Sequence, residues 1–286
     1  MSEENSTNED EKVQFYQKFI KNGSLEIEGD GEDDELKNIE FLEQLNIHKL
    51  EFNACANIIP KFKNIALKKL IIRDSTMQTL NQLQLQNLEE LQLILEEYHC
   101  QYSIKVNIQS LKLTFLNIQA YNNVDVGSLK NMTQLTTVYL IYCQLNDIDV
   151  LCYLVNLKEL HMDSSSLLYI YPLEELKQLE ILTITNNKIT DLSPIQNHPN
   201  YSKYKITGQY QPSENERTLA NKLKNIYQSA SLVRKLNKKN INIGKQQDQT
   251  QKIVEKHLRQ LQYDTGSFVS KVTQLFQFLS QFEGYQ

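Results

Sequence analysis

The 286-residue sequence predicts an α/β solenoid, with a parallel β-sheet on its concave face, short 3₁₀ or extended segments on its convex face, an N-terminal cap helix and a C-terminal helical extension. Three observations predict it. Leucine-bearing segments recur with a period close to 22 residues, and a fixed period of that size marks a repeat architecture. Inside each segment, Leu-x-Leu alternation sends the leucines to one face of a short strand and the residues between them to the other. Finally, 20 to 22 residues per turn leave no length for a full helix on the return path.

Residues 1–23 form an acidic start, expected to be disordered, followed by a cap helix over residues 10–21. Val13, Tyr16 and Ile20 share one helical face there, with Phe19 beside them. Asn22 and Gly23 stop the helix. The solenoid spans residues 24–212. A first copy sits at Leu25 and Ile27, and the leading strand residues that follow are Leu50, Leu70, Leu91, Leu111, Val138, Leu160 and Leu182, at spacings of 20, 21, 20, 27, 22 and 22. The long step places an insertion in residues 119–130. Tyr204 and Ile206 alternate inward in a last, irregular strand that ends at Pro212. Because each turn buries its leucines only against its neighbours, both ends need caps.

The stretch LEILTITNNKITDLSPI at residues 179–195 fits the pattern L-x-x-L-x-L-x-x-N-x-I-x-D-x-x-x-L. Together with the segments before it, it resembles the leucine-rich repeat family, in the 22-residue subclass of phosphatase-regulator-like and internalin-like repeats. In that family an Asn at the ninth position bonds neighbouring backbone inside the turn. Only Asn187 is an Asn; Cys55, Ser75, Cys143 and Ser165 stand there in other units, while Glu96 and Leu116 do not fit. Irregular turns are therefore expected around units four and five. What the resemblance implies is an interaction scaffold or, alternatively, the regulatory subunit of an enzyme such as a protein phosphatase.

Residues 213–286 form a basic helical region. Ser213 and Glu216 make an S-x-x-E capping box, and Leu219, Leu223, Ile226, Ala230 and Val233 recur on one helical face, predicting a helix from Glu214 to about Lys238. A polar joint with Gly244 as its break follows. A second pattern runs through Ile253, Val254, His257, Leu258 and Leu261, and a third through Phe268, Val272, Leu275, Leu279 and Phe282. The last stripe packs as a small bundle, binds a partner or folds back on the solenoid; its pattern fits all three.

Composition narrows the function. The net charge of −5 divides into −10 over residues 1–45, −1 over 46–212 and +6 over 213–286. That segregation suggests weak self-association, acidic head to basic tail. The tail's lysines lack interleaved base-stacking residues, which argues against nucleic acid as a partner. Mean hydropathy is −0.49 and no run approaches the roughly 20 apolar residues of a membrane helix, so no membrane span is expected. The first residues show no secretory pattern, so an intracellular, cytoplasmic protein is expected. Four Cys without a C-x-x-C pair, eight Gly without a phosphate-loop motif, and five His without a ligand or triad spacing predict no metal, no cofactor and no enzymatic chemistry. Paired carboxylates at Glu89–Glu90 and Glu96–Glu97 read as surface charge.

The repeat does expose a legible surface, because the residues between and just after the strand leucines face the concave side. In the middle rows Ile94, Leu95, Phe115, Tyr139, Ile141 and Tyr142 fall next to one another, rimmed by Arg73, Asp74, Lys112, His161 and Asp163. An apolar, aromatic patch with a polar rim, placed where water should be, points to a protein partner. Phe115, Tyr139 and Tyr142 are its expected anchors.

Overall fold

A computed structural model describes residues 3–29, 40–55, 66–73, 85–95, 104–106, 110–121, 123–145 and 147–238. Asp74, Ser75, Glu96, Glu97, Cys100, the joint after Lys238 and the second and third helical patterns lie outside the described residues. The chain divides into two units, Met1–Arg217 and Thr218–Gln286.

Among the described residues, the first unit is built on one parallel sheet of eight strands. They are β1 (Ser24–Glu28), β2 (Lys49–Asn53), β3 (Lys69–Arg73), β4 (Glu90–Leu95), β6 (Phe115–Ala120), β8 (Thr137–Ile141), β9 (Glu159–His161) and β10 (Ile181–Thr183), in that spatial order. Two further short strands, β5 (Ile104–Lys105) and β7 (Val124–Asp125), pair with each other. Parallel neighbours need a crossover, and here the rest of each repeat supplies it. The return path runs through 3₁₀ turns at Glu40–Gln44, Gly127–Asn131, Asp149–Tyr153, Tyr171–Glu175 and Tyr201–Lys203, as a period too short for a helix requires. Asp125, Asp147 and Asp191 each accept the N–H two residues on, at 2.9 Å, and fix the bend into this side.

The register pairs Leu25, Leu50, Leu70, Leu91, Leu116, Val138, Leu160 and Leu182 across the sheet, and all are fully buried. One expected frame is thereby corrected. Leu111 is 78% exposed, and Leu116 is the strand leucine of the fourth unit. The segment offers two overlapping leucine frames, and burial decides between them. The observed frame encloses Leu113, Leu116, Ile118 and Ala120 and surrenders only Leu111 to water. The expected frame would have ended the strand before Leu116 and Ile118. It follows that residues 119–130 hold no insertion: they contain the end of β6, β7 and a 3₁₀ turn. The long step is instead the 25 residues from Leu91 to Leu116.

Where a unit turns out of its strand, Ala54, Tyr142, Ser164 and Asn186 adopt left-handed backbone, with φ of 52°, 60°, 54° and 54°. The kink lets the next residue point inward. Asn187 Oδ1 accepts the N–H of Ser165 (3.0 Å) and of Leu167 (3.1 Å), and its Nδ2 donates to the carbonyls of Met162 (2.8 Å) and Thr185 (3.0 Å). The Ser165 hydroxyl lies 2.6 Å from the Leu140 carbonyl and 3.1 Å from that of Asp163. The Cys143 thiol lies 3.5 Å from the Ile118 carbonyl and 3.4 Å from that of Ile141, and Cys55 repeats the arrangement against Ile27 and Asn53. Burial raises both thiol pKa values, to about 12 for Cys143 and about 11 for Cys55, so each stays a neutral donor. β4 and β6 lack the kink. They run straight on, and alternation carries Leu95 and Ala120 into the core. Irregular turns were expected in units four and five; among the described residues they occur in units three and four, and Cys143 gives the fifth a regular one.

The last turn continues the repeat without a leucine. Lys205 bridges Thr183, Gly208 takes the left-handed position at φ 72°, and Gln209 does what Asn187 does one unit earlier. Its Nε2 donates to the Ile184 carbonyl (2.7 Å) and its Oε1 accepts the Ile189 N–H (3.0 Å). At the other end α1 spans Glu3–Gln17, so the helix starts earlier than the expected cap and takes in most of the start expected to be disordered. Tyr16 stacks on buried Phe41 at 4.9 Å, while Phe15 and Phe19 are exposed.

Helix α2 spans Glu214–Lys238. Its capping box forms as the spacing predicts: the Glu216 N–H donates to Ser213 Oγ, and the Ser213 N–H donates to Glu216 Oε2 at 2.8 Å. Lys188 reaches Glu216 at 2.6 Å and, with the Ser213 bonds, draws the Glu216 carboxyl down to about 2. Among the described residues, Leu223, Tyr227 and Ser231 are buried, and Leu219 is exposed. No helix of the described residues is long and apolar enough to cross a membrane.

Candidate functional site

The sheet's outward positions form three parallel rows. The first contains Lys49, Lys69, Glu90, Phe115, Thr137 and Glu159; the second Glu51, Ile71, Gln92, Asn117, Tyr139, His161 and Thr183; the third Asn53, Arg73, Ile94, Gln119 and Ile141, with Asp163 and Thr185 beyond it. Phe115 lies in the first row, one residue ahead of Leu116. It still meets Tyr139, at a ring distance of 5.7 Å. Ile94 and Ile141 are half-buried on the same face. Leu95 does not belong to it: it is 3% exposed and packs in the core, because β4 runs straight on and alternation turns Leu95 inward. Lys112 donates to Asn87 on an exposed edge, away from these rows.

Tyr139 is the centre of the arrangement. Its ring stacks on His161 at 4.1 Å with the planes 9° apart, and its hydroxyl donates to Glu159 Oε1 at 2.8 Å. His161 Nε2 lies 2.8 Å from the same oxygen, and its Nδ1 lies 2.9 Å from Thr183 Oγ1. The Thr183 hydroxyl donates to Asp163, whose other oxygen accepts the Thr185 N–H (2.7 Å) and hydroxyl (2.6 Å). Six side chains from three successive repeats are thus tied together by hydrogen bonds. Burial and the Glu159 carboxylate raise the Tyr139 phenol to about 12. Burial alone would raise Glu159 as well; its bonds from His161 and Tyr139 outweigh that and lower it.

A second aromatic pair stands on the rim. Tyr142 stacks on Tyr121 at 4.7 Å and 10°, and the two rings are 41% and 43% exposed. Tyr121 and Glu159 are contributors that the repeat pattern missed. Tyr121 was hidden by the misplaced frame, and Glu159 by its position ahead of the strand leucine.

The N-terminal strands differ. Glu51 there receives Lys49 and Arg73, both at 2.9 Å, and Lys69 meets Glu90 at 2.6 Å. Burial pushes the Glu51 carboxyl up, but these two cations outweigh it and lower it. Among the described residues, no group of three or more His, Cys, Asp or Glu is arranged to hold a metal ion.

No protein-family model and no curated protein matches the chain. Solved structures do. An internalin of Listeria monocytogenes, inlF, is 20% identical over 72% of this chain, with a TM-score of 0.50; the match covers 65% of the internalin, so the chain spans less than two thirds of its length. Internalin C2 of the same organism is 21% identical over 50% of this chain and 72% of its own, at a TM-score of 0.37. The functional domain of Listeria InlJ is 13% identical over 68% and 66%, at 0.29. The inlF likeness carries the fold and no more. With the single parallel sheet and its leucine register, it establishes that this chain has the leucine-rich repeat fold.

Proposed function

We propose that the chain is a non-enzymatic, intracellular interaction scaffold that binds a protein partner on the concave face of its repeats, in the 22-residue subclass whose spacing recurs from Leu116 through Val138 and Leu160 to Leu182. One observation carries the reading: Phe115, Tyr139, Ile141 and Tyr142 place apolar and aromatic surface side by side on the sheet, preorganised by the Tyr139–Glu159–His161 network. Interface hot spots favour such rigid aromatic groups, at about 2 kcal/mol or more each. Arg73, His161 and Asp163 rim the surface.

The test is capture of partners by the full chain from a lysate of its own source, compared with a Phe115→Ala/Ile141→Lys variant whose circular dichroism matches wild type. At least one captured protein should fall by about tenfold or more. Equal recovery of every protein would overturn the reading. A captured phosphatase whose activity changes on binding would narrow it to a regulatory subunit.

A further inference from the structure

The left-handed turn residues form a row of their own along the rim: Tyr142, Ser164, Asn186 and then Gly208. The row begins with a large ring and drops at once to a small hydroxyl. Tyr121 stacks on one face of the Tyr142 ring, which stays 41% exposed, and the next residue in the row is Ser164. The Tyr142 N–H donates to the Asp163 carbonyl at 3.1 Å, so ring, hydroxyl and carboxylate belong to adjoining turns.

Charge divides the face in two. In the N-terminal strands every outward cation already has a carboxylate: Lys49 and Arg73 on Glu51, Lys69 on Glu90. Across β6, β8, β9, β10 and the turn row, the described outward positions hold two carboxylates, Glu159 and Asp163, with the imidazole of His161 and no Lys or Arg; the first cation in line is Lys205, one strand beyond Thr183. This half of the face therefore combines an open π surface with excess negative charge. A guanidinium answers both, because its plane stacks on an aromatic ring while its forked N–H donors reach a carboxylate.

We propose that the step between Tyr142 and Ser164 seats an arginine side chain carried on a partner protein, with its plane on Tyr142 and its donors toward Asp163. This rests on the concave face being the protein-binding surface.

Selection of random dodecapeptides displayed on phage against the immobilised full chain tests it. The expected result is enrichment of arginine-bearing peptides, and a synthetic consensus that weakens about tenfold or more when its arginine becomes citrulline, which keeps the shape and removes the charge. Tyr142→Asn, which suits left-handed backbone, and Ser164→Lys, which puts a cation on the step, should each weaken it similarly in variants with wild-type circular dichroism. Enriched peptides without a cation that lose binding on Phe115→Ala overturn the arginine seat and leave the scaffold reading standing. So does a consensus indifferent to citrulline, or one for which lysine serves equally. Peptides indifferent to Phe115→Ala, Tyr142→Asn and Ser164→Lys, or no enrichment at all, overturn both.

Discussion

The repeats from Val138 onward and the two before them solve the same problem differently. In the later units a left-handed residue kinks the chain and a Cys, Ser or Asn turns inward to bond two carbonyls, each from a neighbouring unit or its own strand. In β4 and β6 no such residue is available, so the strand runs on and buries Leu95 or Ala120 instead. One region closes its turns with hydrogen bonds, the other with apolar burial. Surface follows from this choice: the straight exit of β6 points Tyr121 outward against Tyr142, and the left-handed positions of the kinked exits beyond it carry Ser164 and Asn186.

Truncating the strand leucine tests the frame on which the comparison depends. Leu116→Ala should cost about 3 kcal/mol in denaturant unfolding, as core leucines do, while Leu111→Ala should cost nothing measurable. The reverse ranking would restore the other frame and dissolve the comparison. In the hydrogen-bonded region Asn187→Ala should cost about 2 kcal/mol, since it strands buried groups of Ser165, Leu167 and Met162. An effect no larger than that of an exposed substitution would mean the ladder is incidental. Cys143→Ala should cost less, about 1 kcal/mol, because a thiol is a weak donor; a loss equal to that of Asn187→Ala would refute the ranking of turn residues.

The smallest effect concerns the solenoid's contact with the start of α2. Glu216 titrates at about 2 in the folded chain against an ordinary 4.5, so the folded state binds its proton more weakly. Its contribution is complete above about pH 4.5 and is lost as pH falls toward 2. Stability measured across that window should lose part of its acid dependence in Lys188→Met. An unchanged slope would show that the Lys188–Glu216 pair contributes nothing, as many exposed pairs do.

Several parts of the site were legible beforehand because a two-residue alternation and a 22-residue period assign each side chain a face. Tyr139, Ile141, Tyr142, His161 and Asp163 were placed in that way. Leu95 was misread because the rule assumes a turn at a fixed place, and only the neighbouring backbone shows that β4 has none. Gln209 escaped notice because its unit has Tyr204 where a leucine normally announces the repeat.

By itself the sequence determined the repeat, the parallel stacking it forces and the aromatic character of the middle rows, since periodicity alone sorts residues between core and surface. Only the tertiary structure decided which of two overlapping leucine frames the fourth unit uses, where the surplus chain goes, and that Tyr139, Glu159, His161, Thr183 and Asp163 form one network. The reason is physical: frame and network depend on contacts between residues 20 or more apart, whose energies are settled by neighbouring turns rather than by the local chain.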